Sequence, residues 1–245
     1  MQQRSAGTVM NPDISQAAAA CFAVAYAGAR ERFVSAGAGG AEASSLSALG
    51  PDGGALFTDC CWIGPRDAER VIVILSATHG VEGYCGSGVQ VDWLLSGAGK
   101  LLAPDQAVLL VHGLNAYGFA WDRRVTEEGC DLNRNCVDFL GTLPENAGYE
   151  ELSSYLVPPS LDEATLADAE RALGAYRALH GQRAFEIAVK GGQYGDRSGM
   201  FFGGQAPSSA RRRLEQIIED YCLKARRFVT ILDVPTILAD AALVV

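Results

Sequence analysis

Residues 71–83 read VIVILSATHGVEG, in which an uninterrupted apolar run passes directly into a glycine-rich turn. Such a run, without alternation of polar and apolar residues, is typical of a parallel strand that is buried on both faces of its sheet. Two similar runs follow, AVLLV at 107–111 and FVTILD at 228–233, and helical patterns lie between them. The sequence therefore predicts an α/β domain with a mostly parallel or mixed sheet and helices on both faces.

The weaker elements are a loop, a strand and four helices. A loop is expected at 36–48, which is rich in Gly, Ala and Ser, and an edge strand at 55–63, where apolar residues partly alternate. The helical patterns cover 17–34, 87–95, 163–190 and 208–226. Because no internal repeat or linker is visible, we expect one domain over 16–245, preceded by a disordered extension at 1–15.

Composition excludes several classes of function. The formal net charge of −9 argues against a nucleic-acid partner, because phosphate binding needs clustered Lys and Arg. No apolar stretch approaches the ~20 residues that a membrane span requires. The seven cysteines form no CxxC pair, which favours a reducing compartment. We expect a cytoplasmic protein whose partner is neither nucleic acid nor membrane, and the sequence leaves its oligomeric state open.

The first polar cluster directly follows the first buried strand. There, His79 and Glu82 lie three residues apart on a turn flanked by glycines. Functional residues of α/β sheets gather at the carboxyl ends of the strands. Imidazole and carboxylate together suit Zn²⁺, so the spacing predicts two ligands of one zinc ion. The structural alternative is a turn histidine with local hydrogen bonds.

The second polar cluster follows the second buried strand and carries two adjacent arginines, Arg123 and Arg124. A guanidinium group binds a carboxylate through two parallel hydrogen bonds. A little further on, Asp131 could hold the outer nitrogen of a zinc-bound histidine, and Asn133 adds donors and acceptors. The alternative for this segment is a surface turn with ion pairs.

Together these motifs resemble the zinc carboxypeptidase family, in particular a bacterial branch carried as a domain of unknown function. The resemblance rests on HGVEG at 79–83, NAYGFAW at 115–121, the arginine pair and DLNRN at 131–135. It covers roughly residues 20–233 and includes GGQYGDRSGMFFGG at 191–204.

The resemblance implies a role for each polar residue of the two clusters. By this resemblance, His79 and Glu82 would be zinc ligands, and Arg124 would stabilise the oxyanion. Asn133 and Arg134 would bind the terminal carboxylate of a substrate. Asp131 would support the zinc site from outside the ligand set. All of them are then expected around one pocket. The reaction implied is zinc-assisted hydrolysis of an amide bond next to a terminal carboxylate.

The third zinc ligand of the family, a histidine after a later strand, has no counterpart in this sequence. The matching stretch ends with Asp233, Val234 and Pro235, and proline has no ligand atom in its side chain. No counterpart of the family's glutamate base is found either, so we expect a domain whose C-terminal part is missing or altered. His112 and Asp233 are weaker candidates for the missing ligand.

Two other functions fit the same residues. The first is an aspartoacylase-like enzyme that removes the acyl group from N-acyl amino acids. Its substrate would be an N-acyl amino acid, whereas that of a carboxypeptidase would be a peptide. The second is a catalytically inactive module that binds ligands with a terminal carboxylate, which the proline and the missing base favour. The sequence does not decide the substrate.

Overall fold

The computed structural model describes residues 12–38 and 40–235, with side chains from residue 16 onward. Most of the predicted extension at 1–15 therefore lies outside the described residues, and the first helix begins at Pro12. The chain forms two compact units. Among the described residues, unit 1 comprises those up to 122 and those from 222 onward, and unit 2 comprises the intervening residues 123–221. Nothing in the sequence marks this division.

Unit 1 is built on a five-stranded mixed sheet. Its strands are β1 (Ala41–Leu49), β2 (Ala55–Ile63), β3 (Arg70–Leu75), β4 (Gln106–His112) and β5 (Phe228–Asp233), in the order β1-β2-β4-β3-β5. Strand β3 pairs in parallel with both β4 and β5, whereas β2 pairs antiparallel with β1 and β4. The three apolar runs are thus the three neighbouring parallel strands, and the predicted α/β class is confirmed.

Two predictions for the start of the sheet are wrong. Residues 36–48 were expected to form a loop, but most of them belong to β1, whose small Ala and Ser side chains alternate between partly buried and exposed. These residues form a strand because their backbone pairs with β2. Strand β2, expected at the edge, is consequently an inner strand and is largely buried.

The helices of unit 1 are α1 (Pro12–Cys21), α2 (Tyr26–Ala36), α3 (Gly83–Leu95) and the short α4 (Ala116–Ala120). The single helix predicted over 17–34 is interrupted between α1 and α2. At this break the ring of Phe22 lies against α3, so close that a Cβ at Gly88 would fall 2.3 Å from the ring. The interruption therefore lets the Phe22 ring pack directly on the backbone of α3 at Gly88, which has no side chain. Behind it, Phe33 and Leu110 lie in a fully buried apolar cluster.

Unit 2, which is inserted between β4 and β5 in the sequence, is mainly helical. Its helices are α5 (Leu132–Asn135), α6 (Ala147–Leu156), α7 (Glu163–His180), α8 (Gln182–Lys190) and α9 (Ser209–Asp220). The pattern predicted at 163–190 is divided at Gly181, whose φ of 84° ends α7. Helix α6 approaches α8 at Gly148, where a Cβ would lie 2.7 Å from Ala188. Among all described helices, none has the length and apolar character needed to cross a membrane.

Candidate functional site

The turn between β3 and α3 carries His79 and Glu82. The Nδ1 atom of His79 lies 3.4 Å from an Oε atom of Glu82. Both side chains are largely buried, with 8% and 17% of their surface exposed. Glu82 directly precedes the first residue of α3, where the positive end of the helix dipole stabilises a carboxylate. The structure therefore brings together the two residues predicted as zinc ligands.

The shape of this turn depends on two small residues. Ala77 has a φ of 60°, a left-handed conformation that L-residues adopt only when their surroundings enforce it. Gly83 must be a glycine, because a Cβ there would lie 2.7 Å from the Ala77 side chain and 2.8 Å from the ring of Phe119. The backbone that presents His79 is thus held in one conformation by close packing.

The segment after β4 supports the turn from one side. The Leu114 N–H donates to the carbonyl of Ser76 at 3.1 Å, and the Asn115 N–H donates to that of Ala77 at 3.0 Å. The buried Asn115 side chain also donates to the carbonyl of Thr78 at 3.4 Å. Sequence reasoning assigned no function to Asn115, and its only signal was its place in the NAYGFAW motif.

Strand β5 supports the turn from the other side. Asp233 lies opposite Leu75 in the parallel register, at the carboxyl ends of both strands. The Thr78 hydroxyl donates to a carboxylate oxygen of Asp233 at 2.8 Å. Burial of this carboxyl raises the pKa of Asp233; the hydrogen bond from Thr78 and the charge of His79 oppose the shift, and the charge of Glu82 adds to it.

The donor set at this turn has two members. Across the part of the chain that the structure describes, no three side chains of His, Cys, Asp or Glu are arranged to hold a metal ion. Asp233 is bound to Thr78 and does not complete a set with His79 and Glu82. The assignment of Asp233 as the third ligand stays a prediction, and the third ligand stays unidentified.

His112, the other candidate for the missing ligand, is a core residue. Its ring is fully buried, stacks on Phe33 at a centroid distance of 4.5 Å and places Nε2 2.9 Å from the Ser87 hydroxyl. Burial, with a smaller contribution from the charge of Arg30, lowers the pKa of His112 to about 3. His112 is therefore a neutral, fully enclosed core residue, and among the described residues it belongs to no three-residue metal set.

In unit 2, Arg124 is paired with Asp131. The guanidinium Nε donates to Asp131 at 2.8 Å, and the carboxylate is completely buried while 37% of the Arg124 side chain is exposed. Asp131 also accepts a hydrogen bond from the Asn133 N–H at 3.0 Å and caps the start of α5. The support that Asp131 was expected to give to a histidine ligand stays a prediction.

Arg134 is partly committed to structural contacts. Its Nε and one terminal nitrogen donate to the Lys190 carbonyl at 3.3 and 2.7 Å, and the other terminal nitrogen donates to the Asn133 carbonyl at 3.1 Å. Gly192 makes this position possible, because a Cβ there would lie 2.6 Å from the Arg134 side chain. The guanidinium carbons of Arg134 and Arg124 lie 5.8 and 5.1 Å from the ring centre of Phe201. The exposed Asn133 side chain makes no hydrogen bond with other described residues.

Two groups of predicted residues thus exist, one in each unit. His79 and Glu82 lie together in unit 1, and the arginines lie beside Asp131 and Asn133 in unit 2. The expectation that both groups surround one pocket stays a prediction. A cavity of about 390 Å³ within unit 2, bordered by Tyr149 and Tyr194 among others, is lined by none of these residues.

Comparison with known proteins places the chain in a family without assigning an activity. No curated protein matches it. The model of a family described as "Protein of unknown function (DUF2817)" matches residues 22–242. Because this match covers most of the chain, the protein belongs to the DUF2817 family.

Proposed function

We propose that the protein is a zinc-dependent hydrolase of the metallocarboxypeptidase type, which cleaves an amide bond next to a terminal carboxylate. The observation that carries the proposal is the 3.4 Å separation of His79 Nδ1 and Glu82 Oε at the end of β3. Zinc forms bonds of about 2.0–2.2 Å in tetrahedral geometry, which separates two ligand atoms by roughly 3.4 Å. The pair therefore has the spacing of two ligands on one ion.

His79 and Glu82 are the residues that would hold the ion, and their nitrogen and oxygen donors are types that zinc prefers. Zinc bound there would supply a Lewis acid for the substrate carbonyl. Because the residues of the turn are already in place, the two ligands need little reorganisation before binding. The described residues supply no third ligand, so the proposal requires that a further donor completes the coordination.

The residues of unit 2 support a carboxylate-binding role. Asn133 is exposed and keeps its side-chain amide for a ligand. Arg134 has five N–H donors, of which three are used by backbone carbonyls. Arg124 is fixed by the buried Asp131, so its guanidinium has a defined orientation. We propose that Asn133 and Arg134 bind the terminal carboxylate and that Arg124 stabilises the oxyanion.

A second candidate function is a binding module for ligands with a terminal carboxylate, without catalysis. It is favoured by the absence of a three-residue metal site among the described residues and by Pro235, which cannot be a ligand. We propose the cytoplasm as the location for either function, since all seven cysteines are free thiols.

Zinc titration of the metal-stripped protein tests the metal site. We expect binding of one zinc ion in competition with a chromogenic chelator, and a loss of at least tenfold in affinity for both His79→Ala and Glu82→Gln. His180→Ala is the matched control, since His180 is exposed on α7. Unchanged affinity in the His79 and Glu82 variants would contradict the proposed site.

Turnover separates the candidate functions. The protein is incubated with zinc and either a short peptide with a free C-terminus or an N-acyl amino acid, and released amino acids are measured. Cleavage of the peptide supports the carboxypeptidase type, and preference for the N-acyl amino acid supports an aspartoacylase-like deacylase. Binding of the free peptide but not of its C-terminal amide, without turnover of either substrate, supports the binding module.

A further inference from the structure

The turn between β3 and α3, residues 76–83, is hydrogen-bonded to segments at the ends of both strands that flank β3. The hydrogen bonds on the two sides are of different types. Towards β4 the contacts are mainly between backbone groups, in which Leu114 and Asn115 donate to Ser76 and Ala77. Towards β5 the backbone contact ends with the Val234 N–H, which donates to the Leu75 carbonyl at 3.1 Å. Beyond that point the side-chain bond from Thr78 to Asp233 continues the connection.

Thr78 directly precedes His79 and follows Ala77, the residue with the left-handed backbone. Because that conformation costs free energy, the turn keeps its shape only while its neighbours restrain it. Thr78 is 6% exposed, and its hydroxyl spans from the turn to a residue 155 positions later in the chain. A change at Asp233 therefore releases one side of the segment that aims the imidazole of His79.

We propose that Asp233 is a positioning residue that acts through the Thr78 hydroxyl. It holds His79 and Glu82 at the spacing of two ligands of one metal ion. This inference rests on the proposed function, because it concerns the same zinc site. The Asp233 carboxylate accepts a hydrogen bond from the Thr78 hydroxyl and completes no three-residue metal set with the pair among the described residues, so we assign it to positioning. Its role resembles that of the outer groups that orient metal ligands, whose loss weakens metal binding by about 10–100-fold.

The test compares zinc affinity in Thr78→Val, Asp233→Ala and the double variant with that of the unmodified protein. Valine has the shape of threonine with a methyl group in place of the hydroxyl, so it removes the hydrogen bond with little change in packing. We expect each single change to weaken zinc binding by about tenfold, and the double variant to be no weaker than either one. Thr78→Ser, which keeps a hydroxyl, should retain the affinity within about threefold.

The absorption spectrum of bound Co²⁺ provides a second readout. A positioning residue leaves the coordination number and ligand types unchanged, so Asp233→Ala should show the same band pattern as the unmodified protein at saturating metal. If Thr78→Val binds zinc with unchanged affinity, or if the losses of the two single variants add in the double variant, the inference is overturned. A protein that binds no zinc before any substitution overturns the proposed function as well, so the two failures are distinguishable.

Discussion

The turn at 76–83 in unit 1 and the segment at 124–134 in unit 2 are both polar clusters with candidate functional residues, yet their side chains are used differently. In the first, His79 and Glu82 approach each other, and the structural contacts are made by the backbone around them and by the neighbouring Thr78 hydroxyl. In the second, side chains themselves carry much of the structure, since Asp131 fixes Arg124 and Arg134 binds backbone carbonyls. Substitutions should therefore separate ligand binding from stability in the first region and combine them in the second.

The largest expected effect is that of Asp131→Ala. It removes the buried partner of Arg124 and the cap of α5, and we expect the free energy of unfolding to fall by roughly 2–3 kcal/mol. Urea denaturation followed by circular dichroism measures this change. Asp168→Ala is the control, because Asp168 forms an exposed ion pair with Arg171 in the same unit and should have little effect. Equal losses in both variants would contradict the structural role of Asp131.

His112 sharpens the comparison because it is a histidine enclosed in the core, where its ring stacks on Phe33. Its pKa of about 3 in the folded protein is below the ordinary value of 6.5, so the folded state binds fewer protons than the unfolded state between these two values. Stability is therefore fully present above about pH 6.5 and is lost as the pH falls towards 3. We expect the free energy of unfolding to be about 2 kcal/mol lower at pH 5 than at pH 7.

His112→Gln should remove this part of the acid sensitivity, as measured by urea denaturation at a series of pH values. His180→Gln serves as the control, since His180 is exposed at the end of α7. If the acid dependence of the His112 variant matches that of the control, the buried neutral state of His112 is not its cause.

A smaller effect is expected for Gly192→Ala. The residue has a φ of 90°, and the new Cβ would meet the Arg134 side chain, so we expect a loss of about 1–2 kcal/mol in the free energy of unfolding. Gly129→Ala is a matched control with a φ of 82° and open space around the Cβ. The difference between the two variants measures the contact with Arg134, and no difference would show that this contact contributes nothing.

The smallest effect on stability is expected for Asn133→Ala, which should change the free energy of unfolding by less than about 0.5 kcal/mol. Asn133 is the exception in its segment, because its side chain is exposed and makes no hydrogen bond with other described residues. Binding of a peptide with a free C-terminus should nevertheless weaken, as measured by calorimetry. A large loss of stability would place Asn133 with the structural residues of this region.

The elements predicted correctly are those with strong local signals. Strands β3, β4 and β5 are apolar runs, and such runs require burial on both faces wherever they lie. Strand β1 was missed because Ala and Ser carry no strand signal, and its formation depends on pairing with β2. The break between α1 and α2 depends on the fit of Phe22 against Gly88, which sequence spacing does not reveal.

The same distinction holds for the candidate site. His79 and Glu82 were predicted as a pair because a three-residue spacing on a turn is local. The roles of Asn115 and Asp233 depend on hydrogen bonds to Thr78, from which they lie 37 and 155 positions away in the sequence. No pattern in a single sequence reveals contacts between residues so far apart. The alternative of an ion-paired turn for DLNRN anticipated the bond between Arg124 and Asp131, although not the complete burial of the carboxylate.

The insertion of unit 2 between β4 and β5 has a consequence for the order of folding. Strands β3 and β4 are close in sequence and can pair early, whereas β5 must close a very long loop before it reaches β3, which carries a larger entropic cost. Unit 2 occupies most of that loop, and when unit 2 folds, the length of flexible chain between β4 and β5 becomes shorter. We expect β5 to join last, so the Thr78–Asp233 bond would form only in a nearly complete protein.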